Sequence, residues 1–368
     1  METIDVETLR TWLEEGQPVT VLDIRPVHER MEWAIPGSFH IDAYDALQTN
    51  DPQALAGVEL PGDIPVVTVC GAGKTSLAAA QQLQARGIQA LSLAGGMKAW
   101  SLAWNVAEVP VADDTVHVFQ VRRTGKGCLS YLLGAKNEAQ VIDASLDPQV
   151  YLDLASMYGW QITRVFDTHI HADHLSRSRQ LAERSGAMLF LPEQQRVSFP
   201  FTAMRDGDTL AMPTMLFTAL HTPGHTMEST CYLLNNHLLF TGDTLFPTGI
   251  GRPDLEADEQ QARRLRASEL YHSLHKLLAL PSDTLVLPGH TSTPVPFDGI
   301  PIAATLAQIV EEVGILHAPR EAFLEQIMMR LPPTPPNYRQ VITFNEMDLL
   351  PESGVTDLEA GANRCAIS

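Results

Sequence analysis

Three imidazoles and two carboxylates fall within eight residues at Asp167-Thr168-His169-Ile170-His171-Ala172-Asp173-His174. The run Thr163-Arg164-Val165-Phe166 just before them reads as a buried strand that ends where the histidines begin. A loop at a strand end aims several side chains at one point. Imidazole nitrogen with carboxylate oxygen is a donor set for zinc, iron, nickel or copper rather than for calcium or magnesium. Three more residues of ligand type stand at the ends of later apolar runs: His225 in His221-Thr222-Pro223-Gly224-His225, Asp243 in Thr241-Gly242-Asp243 and His290 in Pro288-Gly289-His290. Their neighbouring glycines let the backbone turn closely at each one. The pattern predicts a metal centre assembled from four strand ends.

A second reactive position lies far upstream. The apolar strand Pro65-Val66-Val67-Thr68-Val69 runs into Cys70-Gly71-Ala72-Gly73-Lys74-Thr75-Ser76, and a helix is expected from Ser76 to Arg86. Strand, glycine-rich loop and helix bring backbone N–H groups around an anion. With cysteine at the head of the loop, that anion is a thiolate, favoured by the amides, the helix dipole and Lys74, and the sulfur becomes a nucleophile. A phosphate-binding loop is excluded because the segment lacks the longer spacing between its glycines and the Gly-Lys-Thr end.

The elements that must carry these residues fall into two groups. Asp5 to Glu14 has apolar residues at helical spacing, and Val19-Thr20-Val21-Leu22-Asp23 reads as a strand. Trp104 to Asp114 has proline, charge and no strong period, which puts a domain boundary there. Strand-like runs follow at Val116 to Val121, Leu129 to Leu133 and Gln140 to Asp143, then helices at Gln149 to Tyr158 and Ser176 to Ser185 with a strand at Ala187 to Leu191. This order predicts an α/β chain with domains at residues 1–105 and 115–345, a linker at 106–114 and a C-terminal tail at 346–368. Helices at Ala303 to Val313 and Glu321 to Met329 would cover the site or form a dimer contact in a homo-oligomer. Cys128 and Cys231 read as packing residues, and Cys365 as part of a mobile tail.

Composition excludes several classes of partner. Of 368 residues, 44 are acidic and 25 basic, and the net charge of −19 disfavours nucleic acid and anionic membranes. No apolar run approaches the roughly 18 residues needed to span a bilayer, and the acidic start is unlike a signal peptide. Four widely separated cysteines, without paired spacing, suggest a reduced, cytoplasmic setting.

The first domain resembles the rhodanese (sulfurtransferase) family. The resemblance is carried in order by Asp23-Ile24-Arg25, Ile35-Pro36-Gly37-Ser38, the Cys70 loop and Ala94-Gly95-Gly96-Met97-Lys98-Ala99-Trp100. It implies that Cys70 carries a persulfide sulfur between donor and acceptor, cradled by Gly71 to Ser76. Thr75 stands where many active rhodaneses keep an arginine, and Ala34 where the usual histidine precedes Ile-Pro-Gly.

From about Val116 to His290 the ligand order resembles the metallo-β-lactamase superfamily, which implies an αββα sandwich with the metal site at one edge of its two sheets. Two ligand subsets are open. With all seven engaged, two zinc ions share Asp243 and activate water, as in thioester hydrolases of the glyoxalase II type. With His169, His225 and Asp243 alone, the site is a two-histidine, one-carboxylate face for a single Fe(II) per chain, and His171, Asp173, His174 and His290 orient ligands around it. Gly249-Ile250-Gly251-Arg252-Pro253-Asp254 and Pro333-Thr334-Pro335-Pro336-Asn337-Tyr338 resemble segments of persulfide dioxygenases. The whole chain is similar to rhodanese–persulfide dioxygenase fusions. That similarity implies oxidation of a small thiol persulfide by dioxygen to sulfite and thiol, with Arg252 orienting an acid group or the residues behind the ligands, and Cys70 passing sulfur on, thiosulfate being one product. Thr291-Ser292-Thr293-Pro294 replaces the aspartate and tyrosine of glutathione-using members, so the carrier thiol stays open among glutathione, coenzyme A, another thiol and hydrogen persulfide.

Overall fold

The structure, a computed structural model, describes residues 2–212, 214–347, 349–351, 353–359, 361 and 363–367. Strands β1 (Thr3–Ile4), β2 (Thr20–Asp23), β3 (Phe39–His40), β4 (Val66–Val69) and β5 (Ala90–Leu93) make a parallel sheet in the order β1-β5-β4-β2-β3. Every residue of β2 and β4 is buried, which is why both read as unbroken apolar runs rather than alternating ones. Helix Val6–Glu14 starts where Asp5 accepts a hydrogen bond from Thr8 N. Helix Lys74–Ala85 begins two residues before the expected Ser76. Gly73, at φ +81°, makes the turn in front of it, and a Cβ there would lie 2.8 Å from Gly95 N.

The second domain holds two sheets face to face. β6 (Asn105–Val109), β7 (Val116–Arg122), β8 (Leu129–Ala135), β9 (Glu138–Ile142), β10 (Gln161–Phe166), β11 (Met188–Pro192) and β12 (Thr202–Met204) lie in the order β12-β11-β10-β9-β8-β7-β6. β13 (Thr209–Ala211), β14 (Leu216–His221), β15 (Thr230–Leu234) and β16 (Leu238–Gly242) come next, followed by the short hairpin of β17 (Leu245–Phe246) and β18 (Gly249–Gly251). With β19 (Leu285–Pro288) and β20 (Ala304–Thr305) they complete a second sheet in the order β13-β14-β15-β16-β19-β20. Tyr131, Phe166, Phe217, Tyr232, Phe240 and Leu287 meet between the sheets. Helices Pro148–Met157 and Ser178–Ser185 cover one outer face, and Gln260–Leu278 and Arg320–Met329 the other. The four layers of the expected αββα sandwich are present. No helix among the described residues is long and apolar enough to cross a membrane.

Three expectations change. Residues 106–109, assigned to the linker, form β6 together with Asn105 and pair antiparallel with β7 from Asn105–Arg122 to Val109–Val118. Their alternating burial was masked by the polar Asn105 and Glu108. Helix Gln260–Leu278 was not anticipated, because its first two turns are rich in arginine and glutamine while Ala267, Leu270, Leu274 and Leu277 carry its buried stripe. The tail is built into the second domain: β21 (Ala366–Ile367) pairs antiparallel with β18, and Cys365 is 1% exposed. The domains are closely docked. Trp33 Nε1 donates to Thr124 O at 3.0 Å, Arg123 Nε donates to Ser101 O at 2.6 Å, and a Cβ on Gly125 would fall 1.8 Å from Trp100 O.

Candidate metal centre and thiol site

β10 ends at Phe166, with its aromatic ring in the core, and the chain then turns so that the next histidines face a basin at the sheet edge. Gly242 closes the approach from β16. At φ +48° it brings the chain so near that a Cβ would lie 2.3 Å from Thr168 Oγ1. Across this gap His169 Nε2 stands 3.9 Å from Asp243 Oδ2, and His225 Nε2 stands 3.5 Å from the same oxygen. All three donor atoms are buried, and none has a hydrogen-bond partner. They lie within 4.8 Å of one another. Around one ion with bonds of about 2.1 Å, donor atoms sit roughly 3–3.5 Å apart, so a small inward movement completes the site. Orphaned buried polar atoms are costly unless a ligand meets them. The set fits a metal ion.

Electrostatics favour the ligating forms. Burial, reinforced by His171, drives the His169 pKa well below the ordinary imidazole value, and burial lowers that of His225. Both stay neutral. Burial works against the Asp243 carboxylate, but His290, His169 and His225 outweigh it and hold its pKa below the usual range.

Each ligand is oriented from behind. Thr168 Oγ1 donates to Asp143 Oδ2 at 2.9 Å, which leaves it to accept from His169 Nδ1 at 2.9 Å. The His169 proton is thereby fixed on Nδ1 and its Nε2 lone pair points into the gap. His225 Nδ1 donates to the Arg252 carbonyl at 2.8 Å, with the same result. His290 Nδ1 lies 2.5 Å from Asp243 Oδ1, so that carboxylate keeps Oδ2 for the gap.

The other four candidates are brought into the same basin but pair mainly with carboxylates. His171 Nε2 is 3.2 Å from Asp143 Oδ1, His174 Nδ1 is 3.1 Å from Asp173 Oδ1, and His290 Nε2 is 2.8 Å from Asp173 Oδ2. His171 Nδ1 and His174 Nε2 have no partner. Sequence reasoning missed several neighbours. Cys128, read as a packing residue, has its thiol grouped with Asp173, His174 and His290. Burial and Asp173 push that thiol up, and His174 and His290 outweigh them to bring it down to about 7. Cys365, read as part of a mobile tail, groups with Asp243 and His290, and Asn363 Nδ2 donates to Asp173 Oδ2 at 2.9 Å. Asn345 bonds to the backbone of His171, His174 and Ser176. None of these carried a local signal except the short spacing Asn363-Arg364-Cys365.

Of the two roles expected for Arg252, the structure fits the one behind the ligands. Its guanidinium donates to Asp254 Oδ1 and Oδ2 and to the carbonyls of Pro332, Pro333 and Arg364. All five N–H groups are used, and the residue is fully buried, so no donor remains for an acid group on a substrate. Arg252 acts instead through its backbone carbonyl on His225 and by tying down the tail.

Cys70 heads the loop between β4 and helix Lys74–Ala85. Gly73 N lies 3.1 Å, Ser76 N 3.4 Å and Ser76 Oγ 3.3 Å from Cys70 Sγ. Met97 N and Lys98 N donate to the carbonyls of Cys70 and Gly71, which steadies the loop from the next helix. Lys74 is exposed at the loop rim, and Gly71 and Ala72 open onto a cleft of about 410 Å³ walled by both domains.

Comparisons agree with this architecture. The rhodanese-like domain family matches residues 5–103, and the metallo-beta-lactamase superfamily matches residues 123–290. A hydroxyacylglutathione hydrolase of Rhizobium johnstonii (strain DSM 114642 / LMG 32736 / 3841) is 36% identical over 155 residues, 41% of this chain and 57% of that protein. One from Maricaulis maris (strain MCS10) is 33% identical over 159 residues, 42% of this chain and 58% of that protein. The chain therefore spans less than two thirds of these curated relatives. Among solved structures, ETHE1 from Myxococcus xanthus is 30% identical with a TM-score of 0.51, covering 66% of this chain and 98% of that one. A metallo-beta-lactamase from Staphylococcus aureus subsp. aureus COL shares the fold at 24% identity and a TM-score of 0.60, covering 64% of this chain and 75% of that one. The chain carries a rhodanese-like domain followed by a metallo-beta-lactamase domain.

Proposed function

We propose that the protein oxidises a low-molecular-weight thiol persulfide with dioxygen and water to sulfite and the free thiol, using one Fe(II) per chain. The observation that carries this reading is the unpartnered trio of His169 Nε2, His225 Nε2 and Asp243 Oδ2, a two-histidine, one-carboxylate face. When bound there, Fe(II) supplies open coordination positions and the electrons that make ground-state dioxygen reactive. The chain does the rest. Thr168 with Asp143, and the Arg252 carbonyl, hold the two imidazole protons on Nδ1, while His290 keeps one Asp243 oxygen occupied. Burial of all the ligands excludes bulk water and strengthens each of these contacts. The atoms balance as RSSH with O2 and H2O giving RSH and H2SO3. The likeness to ETHE1 over nearly all of that chain supports a persulfide dioxygenase.

At the first domain Cys70 carries the outer sulfur of a persulfide. A thiolate or sulfite attacks that sulfur, the S–S bond breaks, and its electron pair stays on Cys70, which the loop amides receive as a thiolate. With sulfite as acceptor the product is thiosulfate.

A two-zinc thioester hydrolase is the second reading, favoured by the hydroxyacylglutathione hydrolase relatives and by the unpartnered His171 Nδ1 and His174 Nε2. Against it, His290 Nδ1 holds Asp243 Oδ1, the second oxygen with which Asp243 could reach another ion. Metal content of anaerobically purified protein, with oxygen uptake on added persulfide, tests the choice. About one iron per chain with uptake abolished by chelation is expected. About two zinc per chain, no uptake and thioester hydrolysis would sink the dioxygenase reading.

A further inference from the structure

A narrow cavity runs beside the metal loop. His169 and His171 line its inner part, both no more than 2% exposed, and Leu349, 50% exposed, lines its outer part. Between them stand Leu189 and Leu191 of β11, Val197 and Phe344. The room inside for the centres of water-sized molecules is about 30 Å³. One water needs roughly 10–15 Å³ on that measure, so two or three very small molecules fit and a peptide-sized thiol does not. Part of the polar lining is committed to the protein itself. Asp167 accepts from Ser176 and Ser178, and Asn345 is bonded to the metal loop. The buried Gln194 Nε2 and His171 Nδ1 have no partner, and His169 Nε2, also without one, faces the metal gap.

We infer that this cavity is a binding site and entry path for a small apolar gas, and that dioxygen reaches the metal centre through it. The identification of the gas rests on the dioxygenase reading; the cavity's affinity for apolar gases does not. An uncharged diatomic molecule gains from leaving water for the apolar stretch of Leu189, Leu191, Val197 and Phe344, and His169 and His171 line the inner end of the path.

Xenon, an apolar probe of similar size, tests the site without turnover. Crystals of the iron-loaded protein under xenon pressure should hold xenon between Leu191, Val197 and Phe344. Val197→Trp should abolish that density and raise the KM for dioxygen severalfold with the KM for persulfide unchanged. Phe344→Trp, on a different element, should act alike if Val197→Trp fails to fold. No xenon in the wild-type cavity, or an unchanged KM for dioxygen in a folded variant that lacks xenon, overturns the inference. Xenon in the cavity with no oxygen uptake by the iron-loaded protein overturns the assignment to dioxygen and the function reading together.

Discussion

Thr168→Val removes one hydroxyl and changes little else, since valine keeps the branched shape. That hydroxyl stands between His169 Nδ1 and Asp143 Oδ2, at 2.9 Å from each. In the metal-free variant His169 can move its proton to Nε2 and leave Nδ1 bare, so part of the loss is avoided. Metal binding removes that freedom: the lone pair must be on Nε2, the proton on Nδ1, and no acceptor remains beside it in a residue 2% exposed. A buried donor left unmade costs about 1–3 kcal/mol. At about 1.4 kcal/mol per factor of ten, metal affinity should fall roughly 5- to 150-fold, in line with other losses of a partner behind a histidine ligand. The assay is a competition titration with a chelator, run beside thermal unfolding of the metal-free protein. Thr168→Ser, which keeps the hydroxyl, should restore most of the affinity. A folded Thr168→Val protein that holds metal as tightly as wild type would refute the orienting role of this hydroxyl.

Cys70→Ser should leave oxygen uptake on added persulfide intact and abolish sulfur transfer to thiol or sulfite acceptors; loss of both activities in a folded variant would show that the metal centre depends on the relay. Glu359→Gln removes a carboxylate held 2.6 Å from Arg123 with both side chains fully buried, and it also leaves Arg177 without that partner. Breaking such a pair costs about 3–5 kcal/mol, read from the urea unfolding midpoint, and a loss below about 1 kcal/mol would contradict it.

Much of the site was legible because its ligands sit where local patterns end. β10, β16 and β19 announce themselves as apolar runs, and His169, Asp243 and His290 follow them within a few residues. The Cys70 loop was legible for the same reason, between β4 and helix Lys74–Ala85. For Arg252 the motif position left two roles open, because it does not say which atoms are free, and its five donors are taken by acceptors up to 112 residues away. Cys128 was misread because a cysteine at a strand start has no local mark that separates packing from chemistry. Its partners Asp173 and His174 lie 45 and 46 residues on.

The sequence by itself determined the donor types, their order, the cysteine-headed loop and an α/β organisation in two parts, since hydrophobic period and turn residues encode strands, helices and the places where they stop. Tertiary structure alone decided which donors are free. Asp243 loses one oxygen to His290 across 47 residues, His171 turns to Asp143 across 28, and the tail brings Asn363 to Asp173 across 190. Those pairings depend on how sheet edges and the tail meet in space. No local propensity carries that information, because the energy of a buried polar group is set by whatever partner the distant chain delivers to it.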